Sequence, residues 1–275
     1  MNSTPTAPQA DRGVRAWQEE TWDLASKVYV EGVEPRFVAI QEGMMRRAGL
    51  RPGECVLDLG CGTGPLTLRA AAAVTASGRV HAVDISEEML RVAGARAAHA
   101  GFTHLTFHRA GAEALPVAER SVDAVLAGMC LMFMPDRASA ACEIARVLRP
   151  GGRVVATFPT GPETCDLVKF QRILGSFAPE PPAKGLGPGA LADPTPFVRS
   201  LKENGIEATV EQEEAEFGFA NLEEAWSIFA VVTAMRIPPE QREAARAEVR
   251  RQMWSGGDGP LRFRNRIHFL VGTRA

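Results

Sequence analysis

The stretch VLDLGCGTGP, residues 56–65, decides the fold of this chain. It begins with apolar residues interrupted by Asp58 and continues into three glycines and a proline. Glycines at such a place let the backbone turn sharply and approach a ligand without a Cβ clash. The stretch therefore predicts a buried strand, a tight ligand-binding loop and the start of a helix.

The segments around this stretch alternate between short apolar runs and helical patterns. Strands are predicted at 55–59, 79–84, 105–108, 122–127 and 153–158, with helices at 65–74, 87–100 and 136–148. Two more strand patterns follow at 207–220 and 261–272. Such spacing is typical of βα units, and we expect a doubly wound, Rossmann-like α/β fold with a mostly parallel seven-stranded sheet.

The chain ends differ from this regular centre. Residues 1–50 are predicted to form a frayed tail and a helical lid, with helices at 14–30 and 34–48. Residues 51–160 form the Rossmann-like core, and 161–275 contribute the rest of the sheet and a helical, substrate-binding cap. In this last part, a Pro/Gly-rich loop is predicted at 177–194 and helices at 195–204, 222–235 and 239–254. We expect a single compact domain overall.

The composition excludes several classes of protein. The 275 residues are 45% hydrophobic and 23% charged, with a net charge of −2, so neither disorder nor a strongly basic nucleic-acid surface is expected. The five cysteines show neither zinc-type spacing nor a dense disulfide pattern. Without a signal peptide or a long apolar run, we expect a soluble cytoplasmic protein with no metal site and no membrane insertion.

The glycine spacing indicates the kind of ligand. Gly60, Gly62 and Gly64 follow a Gly-x-Gly-x-Gly pattern, whereas the dinucleotide fingerprint is Gly-x-Gly-x-x-Gly. Asp58 precedes the first glycine by two residues and would repel a pyrophosphate. Asp84 ends the next strand, 84 − 64 = 20 residues after the last glycine, where such folds place an acid on ribose hydroxyls. The pattern indicates a nucleoside with a cationic tail and no phosphate.

Five motifs in order resemble the class I S-adenosylmethionine-dependent methyltransferases, in the ubiquinone/menaquinone-methyltransferase-like group that acts on small molecules. They are VLDLGCGTG (56–64), AVDIS (82–86), AEALP (112–116), VDAVLAG (122–128) and RVLRPGGRVV (146–155). The resemblance implies S-adenosyl-L-methionine as the cofactor and S-adenosyl-L-homocysteine as the product.

The resemblance also implies the cofactor contacts. Asp58 would orient the methionine amino group, Asp84 would hold the ribose hydroxyls, and Ile85 would pack on adenine. The remaining implied contacts on the methionine and ribose side are Gly60, Cys61, Gly62, Gly64 and Met129. Tyr29 lies where relatives often place an aromatic residue over the cofactor, with Trp22 on the same helical face; core packing explains both aromatics equally well.

One position departs from the family pattern. Relatives have Gly-Asp-Ala before Glu-Ala-Leu-Pro, and the Asp side chain takes the adenine amino group. This chain has Ala110, Gly111 and Ala112 there. The resemblance therefore implies that Glu113 or backbone groups near Gly111 and Ala112 supply the missing hydrogen bond.

The catalytic residues are not predicted. Relatives carry His-His after the fourth strand, where this chain has Met132 and Phe133. Either the acceptor supplies its own nucleophile or a base comes from the C-terminal elements, where the candidates are Glu213, Glu214, Glu216 and His268. An apolar ceiling over the acceptor is expected from Trp226, Phe229, Met235, Met253 and Trp254, and packing in the core of the cap explains each of them equally well.

The predicted function is in-line methyl transfer to a small molecule of natural-product, quinone or aromatic type, in bacterial secondary or quinone-type metabolism. Association into a homodimer is left open. The alternatives are a cofactor-binding relative that does not methylate, such as a cyclase or scaffold, and an NAD(P)-dependent oxidoreductase. The glycine spacing, Asp58 and the lack of a Tyr-x-x-x-Lys pair disfavour the oxidoreductase. Nucleic-acid methylation is disfavoured because no basic patch with interleaved aromatics is present.

Overall fold

A computed structural model describes residues 9–179, 185–230, 233, 236–257 and 259–275, with side chains from residue 13 onward. Residues 1–8 of the predicted tail lie outside this range. The first helix begins at Gln9, earlier than predicted. None of the helices in the described ranges is long and apolar enough to cross a bilayer.

Seven strands form one sheet, in the order β3-β2-β1-β4-β5-β7-β6. The first five pair in parallel, and β7 runs antiparallel to both β5 and β6. The strands are β1 Cys55–Leu59, β2 Arg79–Asp84, β3 Leu105–Arg109, β4 Val122–Gly128, β5 Leu148–Pro159, β6 Ile206–Phe219 and β7 Leu261–Arg274. The predicted fold class is confirmed.

Apart from the earlier start of the first helix, the α-helices of the described residues agree with the predicted ones to within a few residues except at two places. They are α1 Gln9–Val28, α2 Glu34–Ala48, α3 Pro65–Val74, α4 Glu87–His99, α5 Arg137–Val147, α6 Asp166–Gly175, α7 Thr195–Glu203, α8 Leu222–Phe229 and α9 Arg242–Met253. The sequence analysis missed α6, although its buried face is apolar. The predicted helix 222–235 is described as α8 up to Phe229, and residues 231, 232, 234 and 235 lie outside the described ranges.

The strand order places a binding cleft at one edge of the sheet. Parallel strands in such folds bind ligands beyond their carboxyl ends, where the strand order reverses. Here the reversal falls between β1 and β4, which pair directly. The loops after β1, β2 and β4 therefore meet at this edge, and they carry most of the residues predicted to form the site.

The chain does not leave helical conformation between α1 and α2. A π-helical turn, Tyr29–Val33, joins them, whereas the sequence analysis predicted two separate helices, 14–30 and 34–48. Gly32 in this turn is buried, and a Cβ there would lie 2.9 Å from the Ile228 side chain. Single π-turns often occur at functional sites, and this one brings Tyr29 to the cleft.

The C-terminal cap, α8 and α9, packs on the β6-β7 hairpin through aromatic side chains. Phe219 contacts Phe229, Phe263 and Trp254, with ring centroids 4.7–6.4 Å apart. Trp226 lies under the guanidinium of Arg246. Trp226 and Trp254 thus belong to the packing of the cap itself.

Candidate active site

The glycine loop after β1 is held in a conformation that side chains would obstruct. Gly60 has φ of 65°, and a Cβ there would lie 2.5 Å from the Cβ of Cys130. The Gly62 N–H donates to Asp84 Oδ2 at 2.8 Å. Gly64 begins α3 and faces Ala93 of α4, whose Cβ would lie 3.0 Å from a Cβ at position 64. Gly64 therefore serves the packing of the loop on α4, and its predicted contact with the ligand stays a prediction.

Asp58 presents a carboxylate with one free oxygen to the inside of the protein. Its side chain is 1% exposed, and its Oδ2 accepts a hydrogen bond from Thr67 Oγ1 at 2.6 Å. Its Oδ1 is buried and has no partner among the described residues. Burial raises the pKa of Asp58 to about 7, because the charged form loses its hydration. A cationic ligand group beside Oδ1 would compensate for this cost.

Asp84 is fixed at the end of β2 by backbone donors. Its Oδ2 accepts from Gly62 N, and its Oδ1 accepts from Ser86 N at 2.9 Å. Burial raises the pKa of this carboxyl, while the hydrogen bonds from Ser86 and Gly62 oppose that shift. The carboxylate is therefore oriented toward the cleft before any ligand is bound.

A cleft of about 720 Å³ extends along this edge of the sheet. An adjoining smaller cavity beneath the loop contains Asp58 and Cys61, with Gln41 and Met44 of α2. The structure brings the predicted site residues other than Gly64 into this pair of cavities. The cleft itself is lined by Tyr29, Gly60, Gly62, Asp84, Ile85, Gly111, Ala112, Glu113 and Met129.

Helix α1 closes the outer side of the cleft. Asp23 Oδ1 accepts hydrogen bonds from Ser86 Oγ at 2.5 Å and from Glu88 N at 3.3 Å, so α1 is attached to the start of α4. The rings of Trp22 and Phe133 meet edge to face, with 4.8 Å between centroids. These contacts hold α1 against the cleft, which Trp22 of this helix lines.

A second, mostly apolar cavity of about 610 Å³ opens beside the cleft. Tyr29 and Met129 line this cavity, the cleft and the cavity around Asp58. Met129 has φ of 55°, which is costly for a residue with a side chain and is found mainly where function requires it. The other lining residues include Trp22, Ala25, Phe37, Met132, Phe133, Leu167, Gln171, Ile228 and Phe229. The three spaces therefore meet at Tyr29 and Met129.

Several of these lining residues were not predicted. Leu167 and Gln171 lie on α6, the helix that the sequence analysis missed, whose apolar residues recur at helical spacing. Of the predicted ceiling, only Phe229 lines the apolar cavity among the described residues. Met235 lies outside them.

The candidate bases from the C-terminal elements do not line the three cavities. Glu213 pairs with Arg47, and Glu216 pairs with Arg262. Glu214 is exposed and faces Arg266. His268 lies 3.2 Å from the carbonyl oxygen of Ala192, and burial lowers its pKa. The hypothesis of a base on β6 or β7 is therefore not supported by the geometry.

Comparison with known proteins gives the family. A family described as a methyltransferase domain matches residues 56–152. An uncharacterized protein of Mycobacterium tuberculosis is 32% identical over 204 residues, which cover 73% of this chain and 70% of that protein. A demethylmenaquinone methyltransferase of Anoxybacillus flavithermus is 35% identical over 138 residues, covering 50% of this chain and 57% of that enzyme. The crystal structure of the cyclase SpnF shares the fold, with a TM-score of 0.62 and 18% identity over 100% of this chain and 99% of that one.

The fold and the cleft define a nucleoside-binding α/β enzyme. The chain belongs to the class I S-adenosylmethionine-dependent methyltransferases. Its cofactor is S-adenosylmethionine. The site fits this cofactor, because the free Oδ1 of Asp58 is a partner for an ammonium group and Asp84 is a fixed acceptor for hydroxyl groups. The individual cofactor contacts remain predictions from the sequence.

Proposed function

We propose that the protein transfers the methyl group of S-adenosylmethionine to a small, uncharged and largely apolar acceptor of aromatic, quinone or natural-product type. The observation that carries the proposal is the apolar cavity beside the cleft. Its described lining consists of apolar and aromatic side chains together with Gln171. Gln171 already bonds to Phe229 O and Thr233 Oγ1, so little polar capacity remains for a charged acceptor.

The chemistry requires positioning more than proton transfer. The bound cofactor supplies an electrophilic methyl group on a sulfonium whose leaving group is a neutral thioether. Tyr29 and Met129 flank the opening between the cleft and the apolar cavity, where an acceptor atom would approach the methyl group in line. The contact of Trp22 with Phe133 keeps water from that opening.

The acceptor must bring its own nucleophile. Tyr29 is the one titratable side chain among the described residues that line the apolar cavity. Burial and the nearby Glu34 and Asp84 carboxylates raise the pKa of Tyr29, so its hydroxyl stays protonated at neutral pH. A tyrosine in this state donates a hydrogen bond and does not act as a base.

The same lack of a base is compatible with a cofactor-binding relative that does not methylate. A labelled-methyl assay separates the two functions. The protein is incubated with methyl-labelled S-adenosylmethionine and a panel of quinols, phenols, aromatic amines and polyketides, with tRNA and a protein mixture as other acceptors. Label in a small apolar product supports the proposal. Label confined to tRNA or protein, or bound cofactor with no labelled product, contradicts it.

A cavity-filling variant tests whether the apolar cavity holds the acceptor. Ala25 is 3% exposed and lines this cavity without lining the cleft. We expect Ala25→Phe to lower the methylation rate by about 10-fold or more, because a misplaced acceptor loses its alignment. Its affinity for S-adenosylhomocysteine should stay within about 2-fold of wild type. Lys27→Ala, on the exposed face of the same helix, is the control. It should change neither the methylation rate nor the affinity for S-adenosylhomocysteine. Unchanged turnover in Ala25→Phe would place the acceptor elsewhere.

A further inference from the structure

Gln171 carries the one side-chain amide among the described residues that line the apolar cavity. It lines neither the cleft nor the cavity around Asp58, whereas Tyr29 borders all three spaces. Leu167, one helical turn before Gln171 on α6, lines the same cavity, so this face of α6 is turned toward it. A ligand group that Gln171 contacts therefore belongs to the acceptor and not to the cofactor.

The orientation of the Gln171 amide is fixed by two hydrogen bonds. Its Nε2 donates to Phe229 O, and its Oε1 accepts from Thr233 Oγ1. Phe229 ends α8, and the N–H of Thr233 bonds to Ala230 O instead of continuing the helix onto Phe229 O. The Phe229 carbonyl only accepts hydrogen bonds, so the amide nitrogen and not the oxygen must face it.

Part of the amide remains available to a ligand. A primary amide has two N–H donors and an oxygen with two lone pairs. The bonds to Phe229 and Thr233 use one donor and one lone pair, so one donor and one lone pair have no partner among the described residues. The side chain is half-buried beside apolar walls, where an unmade hydrogen bond is costly. This capacity suits one uncharged oxygen and is too small for a charged group.

We propose that Gln171 orients the acceptor through a hydrogen bond to one uncharged oxygen, a hydroxyl or a carbonyl. This inference rests on the proposed function and narrows its acceptor class to molecules that carry such an oxygen. Because Gln171 does not line the cleft, the oxygen lies within the apolar cavity, apart from the opening beside Tyr29 and Met129. A single polar contact in an apolar cavity fixes the orientation of a ligand, and that orientation decides which atom meets the methyl group.

The test compares two probes that differ by one hydroxyl, 1-naphthol and naphthalene. Equilibrium dialysis measures the dissociation constant of each probe with the full chain saturated with S-adenosylhomocysteine. We expect wild type to bind 1-naphthol about 3–10-fold more tightly, as one hydrogen bond between uncharged groups allows. In Gln171→Leu the ratio should fall to about 1 or below, because the hydroxyl loses its hydration without gaining a partner.

Two further variants separate ligand binding from packing. Thr233→Val removes one bond of the amide and leaves its donors in place, so the preference for 1-naphthol should stay or rise. Ala25→Phe fills the cavity and should weaken the binding of both probes. If Gln171→Leu only loosened the end of α8, both probes would lose affinity equally and the ratio would not change.

The outcomes distinguish this inference from the proposed function. A wild-type ratio of about 1, an unchanged ratio in Gln171→Leu, or unchanged binding of both probes in Ala25→Phe would overturn the inference. Binding of neither probe would contradict the apolar cavity as the acceptor site and overturn both proposals. Failure of the labelled-methyl assay alone would leave the Gln171 contact standing, because dialysis requires no turnover.

Discussion

At the residue scale, the binding site depends on a carboxyl group that is costly to ionise in the free protein. Asp58 has one oxygen bonded to Thr67 and one oxygen without a described partner. Because burial raises its pKa to about 7, a large fraction of the free protein holds Asp58 protonated at neutral pH. An ammonium group beside Oδ1 favours the charged form, so cofactor binding and ionisation of Asp58 are linked.

This linkage predicts a pH dependence of binding. Affinity for S-adenosylhomocysteine should fall as the pH drops from 8 to 5.5, by up to about 10-fold per unit below the pKa of Asp58, because the bound state requires a deprotonated carboxyl. Calorimetry in buffers of different ionisation enthalpy should detect proton release on binding near pH 6. Asp58→Asn should bind more weakly and show a smaller pH slope. An unchanged slope in that variant would mean that another group controls the dependence.

The linkage also has a consequence for stability without the cofactor. The pKa of Asp58 is higher in the folded protein than in the unfolded chain, so its protonated form stabilises the fold. This contribution is fully present below the unfolded-state pKa and is lost as the pH rises through about 7. The cost of an ionised Asp58 is therefore present in the free protein at alkaline pH. Cofactor binding relieves it.

At this scale the sequence predicted the positions of the acidic residues more directly than the packing of the glycines. Asp58 and Asp84 follow directly from strand ends and loop spacing, and the structure places Asp84 in the cleft and Asp58 in the adjoining cavity. Gly64 faces Ala93 of α4, a packing contact that loop spacing alone does not show, and its predicted contact with the ligand stays a prediction. Gln171 was missed because its environment depends on the packing of three distant segments.

At the scale of elements, a partly buried ion pair holds the glycine loop between two helices. Arg96 of α4 donates to both carboxylate oxygens of Glu34, at 2.6 and 3.0 Å, and to the carbonyl oxygen of Thr63 at 2.8 Å. Thr63 Oγ1 bonds to the same Glu34 carboxylate. Glu34 is the first residue of α2, so the pair joins α2, α4 and the loop.

This arrangement predicts a specific double-mutant result. Arg96→Met should lower the free energy of unfolding by about 2 kcal/mol, because it leaves the buried Glu34 carboxylate without its charged partner. Arg96→Met combined with Glu34→Gln should recover part of that loss. Urea denaturation measures the free energy of unfolding of the single and the double variants. A double variant that loses more free energy of unfolding than the losses of Arg96→Met and Glu34→Gln added together would contradict this account of the pair.

Elements with clear periodicity were predicted within a few residues, but their junctions were not. The residues between the two predicted helices 14–30 and 34–48 form part of a π-turn, in which Gly32 leaves room for the Ile228 side chain of α8. The alternating strand near Glu213 was predicted correctly as β6, while the pairing of its acids with Arg47 required knowledge of where α2 lies. Local pattern determines the elements, and tertiary contacts determine how they join.

At the scale of the whole molecule, the sheet edge and the N-terminal helices border three adjoining spaces. The cavity at Asp58, the cleft at Asp84 and the apolar cavity meet at Tyr29 and Met129. The motif order predicted the first two from the sequence. The sequence predicted an apolar ceiling over the acceptor, of which Phe229 lines the apolar cavity, but not the rest of the lining, because its walls come from α1, α2, α6, α8 and the segment after β4.

The most direct test of the central claim is calorimetric titration of the full chain with S-adenosylmethionine, S-adenosylhomocysteine and NADH, repeated with Asp84→Ala. We predict micromolar binding of both sulfur ligands and none of NADH. Binding should weaken by at least ~10-fold in the variant, which loses the fixed acceptor at the end of β2. Circular dichroism of Asp84→Ala checks that the variant is folded. Absence of binding by both sulfur ligands, or equal binding by wild type and variant, would contradict the account.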